Sequence, residues 1–101
     1  MFNLPGTVIR ADDETLSAPY RRLVASELSE ARIARGPVFV GNVFERIIRG
    51  SEVSLIHWVE LDGTAIPAHL FKIDELPVDL VDTDRPRIRM AAAHYLANRF
   101  T

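Results

Sequence analysis

Residues 55–64, LIHWVELDGT, hold the densest group of side chains in this chain that could do chemistry. His57 lies beside the only tryptophan, Trp58, and the carboxylates Glu60 and Asp62 follow within five residues. Histidine with nearby carboxylates is a common arrangement for proton transfer, because histidine gains and loses its charge near neutral pH. The segment has two interpretations: part of a reactive site, or one strand of a hairpin.

The dipeptide Asp62-Gly63 favours the hairpin, because it supplies the two residues at positive φ that a type I′ turn requires. We therefore predict paired strands over residues 52–61 and 64–73. In that register His57 lies in the middle of the more regularly apolar face, and His69 points to the opposite face. The two histidines then cannot ligate one metal within the hairpin. His57 is expected to be a core residue with one ring nitrogen on a backbone carbonyl.

The other face of this predicted hairpin carries large apolar side chains where a solvated face would be polar. They are Ile56, Trp58, Pro67 and Phe71. An exposed aromatic cluster of this size is typical of a protein-binding surface. A helix of the same chain covering the cluster is the alternative. Among interfaces, two-fold pairing of one self-complementary patch is the commonest, so the cluster favours a homodimer.

The rest of the sequence has no signature of a catalytic or cofactor site. The five glycines are isolated, so no phosphate-binding loop is present, and no serine lies in a G-x-S-x-G motif. The chain has no cysteine, which excludes disulfides, thiolate metal sites and thiol catalysis. Asp79, Asp82 and Asp84 lack the spacing of a calcium loop. We therefore expect no cofactor, no metal and no enzymatic activity, with a small enzyme or ligand-binding domain assembled around His57 as the third possibility.

Charge is distributed unevenly along the chain, although the net charge is only −2. Residues 20–49 carry six arginines against three glutamates, residues 51–84 carry eight acids against one lysine, and residues 85–101 carry four arginines and no acid. Such a bipolar chain can self-associate or bind a charged partner. The arginines that could form a cationic rim beside an interface are Arg85, Arg87 and Arg89.

Three helices are predicted around the hairpin. Ser17 followed by Pro19 indicates a helix start, and apolar residues recur at helical spacing until Gly36. Within residues 37–49 apolar pairs alternate with polar pairs, which follows a period of 3.6 and favours a helix, although the β-branched residues leave a strand open. A last helix is expected to begin at Asp84.

Two helices followed by a β-hairpin resemble, in element order alone, a winged-helix domain from its second helix onward. No family motif accompanies this likeness. In that arrangement Asn42, Arg46 and Arg49 would face outward from a recognition helix and contact bases and phosphates. A DNA-binding regulator is therefore the second possibility. The acidic hairpin and the pI of about 5.9 count against it, because both disfavour phosphate binding.

The sequence thus predicts one α+β domain over residues 1–101, with an αα-hairpin, then a β-hairpin or meander forming a small antiparallel sheet, then a C-terminal helix. We expect a small non-enzymatic interaction protein, an adaptor or inhibitor, that binds a second copy of itself or a larger protein. No leader or membrane span is visible, so we expect a cytoplasmic protein. The expected core comprises Leu23, Val24, Leu28, Val43, Phe44, Ile47, Leu55, Val59, Leu70, Ile88, Ala92, Tyr95 and Leu96.

Overall fold

A computed structural model describes residues 2–29, 31–62 and 70–98 of the chain, which contain two helices and one β-hairpin. The elements are α1 (Ser17–Glu27), β1 (Ile33–Ile47), β2 (Gly50–Leu61) and α2 (Asp84–Asn98). Strands β1 and β2 pair antiparallel in a two-stranded sheet. The α+β class and the C-terminal helix predicted from the sequence are confirmed.

Residues 37–49, predicted as a helix, lie in β1 and the turn after it, so the predicted αα-hairpin is wrong. Phe44 and Ile48 are 77% and 107% exposed, in positions where a solvated strand or turn usually carries polar residues. A register shift between Phe39 and Gly41 also offsets the alternation of the strand. When both faces of an irregular strand carry apolar residues, those residues occur as adjacent pairs in the sequence. Adjacent apolar pairs are also what the helical period of 3.6 produces, so the strand was predicted as a helix.

The hairpin turns earlier in the chain than predicted. Its strands are joined by Ile48 and Arg49, and Gly50 follows the turn at φ +127°, a backbone conformation that residues with a side chain rarely adopt. β2 therefore pairs with the segment before it, and residues 70–73, predicted to be part of the second strand, lie outside any strand. The remainder of that predicted strand, including Pro67, lies outside the described residues.

Helix α1 begins at Ser17, within one residue of the predicted start, although Leu16 rather than Ser17 occupies the N-cap position. It ends at Glu27, well before Gly36, and the chain enters the sheet at Ile33. Its backbone does not approach the sheet or α2. Instead Arg22 donates hydrogen bonds of 2.8 and 2.7 Å to the two carboxylate oxygens of Asp13, and one of 3.0 Å to the carbonyl of Val8. Helix α1 is thus held to the N-terminal segment by a bidentate ion pair.

Helix α2 lies against one face of the hairpin, which we call the inner face. A Cβ atom on Gly41 would lie 2.9 Å from the Sδ atom of Met90, so the missing side chain lets the helix approach β1. Further along β2, the ring of Trp58 meets that of Tyr95 edge-on at 5.1 Å between centroids. The helix and the hairpin are therefore in close contact, but over a small area.

Arg87 connects α2 to both strands and is only 7% exposed. Its Nη2 atom donates hydrogen bonds of 2.8 Å to Glu45 in β1 and 3.2 Å to Ser54 in β2. Its Nη1 atom donates to the Thr83 carbonyl and lies 3.6 Å from the carboxylate of Asp84. A buried guanidinium requires such partners, because an unpaired buried charge costs several kcal/mol.

Little of the chain is fully buried. Within the described ranges, only Pro19, Leu80 and Arg87 are buried. Four members of the expected core are instead exposed, namely Phe44, Leu55, Leu70 and Leu96. The accessible surface of the chain is 7700 Å², whereas a compact monomer of this mass exposes about 5800 Å². The radius of gyration of 14.1 Å likewise exceeds the value of about 12.7 Å for a compact domain of this length.

We predict that Arg87→Met lowers the free energy of unfolding by about 3 kcal/mol, because it leaves the Glu45 carboxylate facing α2 without its cation. Urea titration followed by circular dichroism measures this. The control is Arg89→Met, which removes an exposed arginine two residues along the same helix and is expected to change stability by less than about 0.5 kcal/mol. Equal effects of the two substitutions would contradict a structural role for the contacts of Arg87 with Glu45 and Ser54.

A second prediction concerns acid stability. Hydrogen bonds to Arg22 and to the Arg10 backbone lower the pKa of Asp13 from 3.8 to about 2. A pKa depressed by folding contributes stability above the unfolded value, and that contribution is lost as pH falls. Asp13→Asn should therefore melt below the native chain at pH 7, with the difference disappearing between about pH 4 and pH 2.

The control for this comparison is Asp12→Asn, which removes the exposed neighbouring acid. Its melting temperature should follow that of the native chain at every pH. If the deficit of Asp13→Asn stayed constant down to pH 2, the ion pair with Arg22 would not be the source of that stability.

Candidate protein interface

The face of the hairpin that points away from α2 is largely apolar, and we call it the outer face. Its members face each other in cross-strand pairs, Phe39 with His57, Asn42 with Leu55, Phe44 with Val53, and Arg46 with Ser51. All eight are exposed, and the fully exposed Ile48 extends the apolar surface at the turn. The outer face is thus a continuous strip on two adjacent strands.

The inner face determines which residues form this strip. Successive side chains of a strand point to opposite sides, so a residue beside an inward one must point outward. Glu45 and Ser54 face Arg87, which places their neighbours Phe44 and Val53 on the outer face. Because α2 lies on the opposite side of the hairpin, packing against α2 does not account for the apolar residues of the outer face.

The outer face contains no acidic residue, and its single formal charge is Arg46 near the turn. At its other end the imidazole of His57 meets the ring of Phe39 edge-on, with 5.4 Å between centroids. The Nδ1 atom of His57 lies 3.2 Å from the carbonyl oxygen of Leu55. The predicted contact with a backbone carbonyl is therefore present, but His57 lies on the surface rather than in the core.

Among the described residues, the contacts of His57 are with the Phe39 ring and the Leu55 carbonyl. Across residues 2–29, 31–62 and 70–98, no group of three or more histidine, aspartate or glutamate side chains is arranged to hold a metal ion. The side chain across the strands from His57 is the hydrocarbon ring of Phe39. The ring pair presents apolar surface that a partner could bury.

The predicted apolar cluster is divided among different parts of the fold. Ile56 and Trp58 belong to the inner face, and the Nε1 atom of Trp58 donates a hydrogen bond of 3.2 Å to Nδ1 of His94 in α2. Phe71 packs edge-on against Phe2, with 5.0 Å between ring centroids. The fourth member, Pro67, lies outside the described residues. A helix of the same chain therefore covers Trp58, which was the alternative interpretation.

The three arginines of the predicted rim also have different surroundings. Arg87 lies in the buried cluster. Arg85 donates a hydrogen bond of 2.9 Å to the carbonyl of Pro77 and lies 3.8 Å from the carboxylate of Asp82. Arg89 is exposed. They do not form one cationic edge.

The residues proposed to contact DNA lie on the hairpin and not on a helix. Asn42 and Arg46 are members of the outer face, and Arg49 lies in the turn, with its guanidinium 3.8 Å from the carboxylate of Glu52. A recognition helix at this position is excluded, because β1 occupies it.

An apolar groove of about 600 Å³ runs between α2 and the last part of β2. The predicted apolar stripe of α2, including Ile88, Ala92 and Tyr95, forms one wall, and Trp58 and Val59 form the other. The stripe therefore faces the sheet, as an amphipathic helix should, but it does not fill the space between them.

Comparison of the chain with protein-family models, with curated proteins and with solved structures finds no match. Neither helix in the described ranges has the length and apolar content needed to cross a lipid bilayer.

We predict that Trp58→Ala destabilises the fold by about 2–3 kcal/mol, because a half-buried indole against Tyr95 is lost. Trp58→Phe retains a ring but loses the hydrogen bond to His94, and it should cost about 1 kcal/mol. Chemical unfolding of both variants measures the difference. Unchanged stability of Trp58→Ala together with weaker association with a partner would instead place Trp58 at an interface.

Proposed function

We propose that this chain is a small non-enzymatic protein-interaction module and that the outer face is its contact surface. The exposure of that face carries the proposal: Phe39 is 51%, Phe44 77% and Val53 49% exposed. With Leu55 and Ile48 the accessible apolar area is roughly 500 Å², at the upper end of what a monomer leaves uncovered. Aromatic and aliphatic residues with few charges are the composition of an interface centre.

The overall burial of the chain supports the same proposal. Its exposed surface exceeds that of a compact monomer by roughly 1900 Å², and the fold buries only about half of the area of the unfolded chain, against about 65% for a typical domain of this size. Apolar residues make up 48% of the sequence, so the deficit does not come from a shortage of them. Association through the outer face would supply part of the missing burial.

In this proposal the module acts as an adaptor or inhibitor, and the cysteine-free composition fits a place in the cytoplasm. The DNA-binding alternative has less support, because the outer face has one arginine among apolar side chains, whereas duplex binding depends on several phosphate contacts. An enzyme built around His57 has less support, because the cross-strand neighbour of His57 is the hydrocarbon ring of Phe39.

The test is the double substitution Phe44→Ser with Leu55→Ser, compared with the native chain by thermal unfolding over a hundredfold range of concentration. At the dilute end, where association is weakest, the two proteins should unfold within about 1 kcal/mol of each other, because both positions face solvent in the single chain. Any advantage of the native protein should grow with concentration.

The matched control is Val43→Ser with Ile56→Ser, which makes the same kind of change on the inner face of the same strands. This control should lose about 2–4 kcal/mol at every concentration, since both side chains point toward α2. A comparable loss in the outer-face variant, independent of concentration, would place Phe44 and Leu55 in the core of the single chain and contradict the proposal.

A further inference from the structure

We infer that the partner of the outer face is a second copy of this chain, packed face to face about a two-fold axis. The inference rests on the proposed function, because it names the partner of the same surface. Area, charge and symmetry each support it.

The area of the outer face matches one half of a standard interface. Its apolar part of roughly 500 Å², together with the polar members Asn42, Arg46 and Ser51, approaches the value of about 800 Å² that each partner buries in a stable complex. A second copy is present wherever the chain is made, at equal concentration, so it can cover this face continuously.

The charges of the outer face suit a copy of itself better than a charged partner. The central pairs, Asn42 with Leu55 and Phe44 with Val53, carry no charge. A surface adapted to an acidic or basic partner would present charges of one sign across its centre. Here the only formal charge, Arg46, lies toward one end.

Two-fold symmetry places these features in favourable positions. The overlap is greatest when the two-fold axis lies between the two packed faces, runs across the strands and passes between the two central pairs. This axis brings Phe44 of each copy next to Phe44 of the other. The two Arg46 side chains then lie at opposite ends, so like charges do not meet. Each guanidinium instead approaches the Phe39 ring of the other copy, where a cation–π contact can form. The two hairpins would pack at the usual sheet separation of about 10 Å.

The experiment uses light scattering on the full chain over a hundredfold range of concentration, with circular dichroism to verify folding. The native chain should have twice its monomer mass of 11.4 kDa. Phe44→Asp and Phe44→Lys should each be monomeric, with self-association weakened at least about a hundredfold, because each places two like charges at the axis. An equimolar mixture of the two variants should regain the dimer mass, because opposite charges then meet.

The matched control is Val78→Asp, which introduces a charge at an apolar residue that is 96% exposed outside the outer face. This variant should remain a dimer. The mixture is the decisive sample, because a variant that merely misfolds cannot be restored by a second misfolded variant.

Three results would overturn the inference: a native chain that is monomeric throughout the range, a dimer that survives both substitutions at Phe44, or folded variants whose mixture stays monomeric. A monomeric native chain whose stability is unaffected by Phe44→Ser with Leu55→Ser would overturn self-association only, since the outer face would still be an open surface. Concentration-independent loss of stability in that double variant would contradict the proposed function itself.

Discussion

The guanidinium of Arg87 determines how the two halves of the fold meet. The guanidinium extends from α2 and donates hydrogen bonds to Glu45 on one strand and Ser54 on the other. Both strands must therefore turn those residues toward the helix. A buried arginine is tolerated only when its N–H groups have hydrogen-bond acceptors. A shift of either strand by one residue in register would turn Glu45 or Ser54 to the other face and remove an acceptor. Because neighbouring side chains alternate, the same contact sends Phe44 and Val53 outward. The exposed apolar face therefore follows from an ionic contact on the opposite side of the sheet.

The contacts between α2 and the hairpin specify an orientation more than they bury surface. Gly41 allows a close approach to Met90, and Trp58 touches Tyr95 through a ring edge, yet the groove beside them remains open. The polar contacts of Arg87 with Glu45 and Ser54 select one arrangement, and their net stabilisation is reduced by the desolvation of the charged groups. Several large apolar residues of the hairpin, Phe44 and Ile48 among them, therefore contribute little hydrophobic stabilisation within the single chain.

The parts of the fold that could be predicted from the sequence are those determined by local signals. Helix α2 begins at Asp84 and carries its stripe at helical spacing, and both features are visible in a short window. Strand β1 could not be predicted in this way, because the rule of alternation assumes that one face of a strand is polar. Phe44 and Ile48 do not fit that assumption, because they are apolar and exposed. Likewise Asp62-Gly63 is a stronger local turn signal than Ile48-Arg49, and the observed turn lies at the weaker one.

The candidate surface was hidden for a related reason. The alternation of side chains along residues 53–58 correctly assigns Val53, Leu55 and His57 to one face of the strand. It assigns Ile56 and Trp58 to the other, and both faces are apolar enough to belong to a core. The choice between them depends on which set faces α2, and that is determined by Arg87, which lies 42 residues from Glu45 and 33 from Ser54. No periodicity within one strand contains this information. A strand with two apolar faces leaves open which face packs inside the chain, and only a contact distant in sequence identifies it.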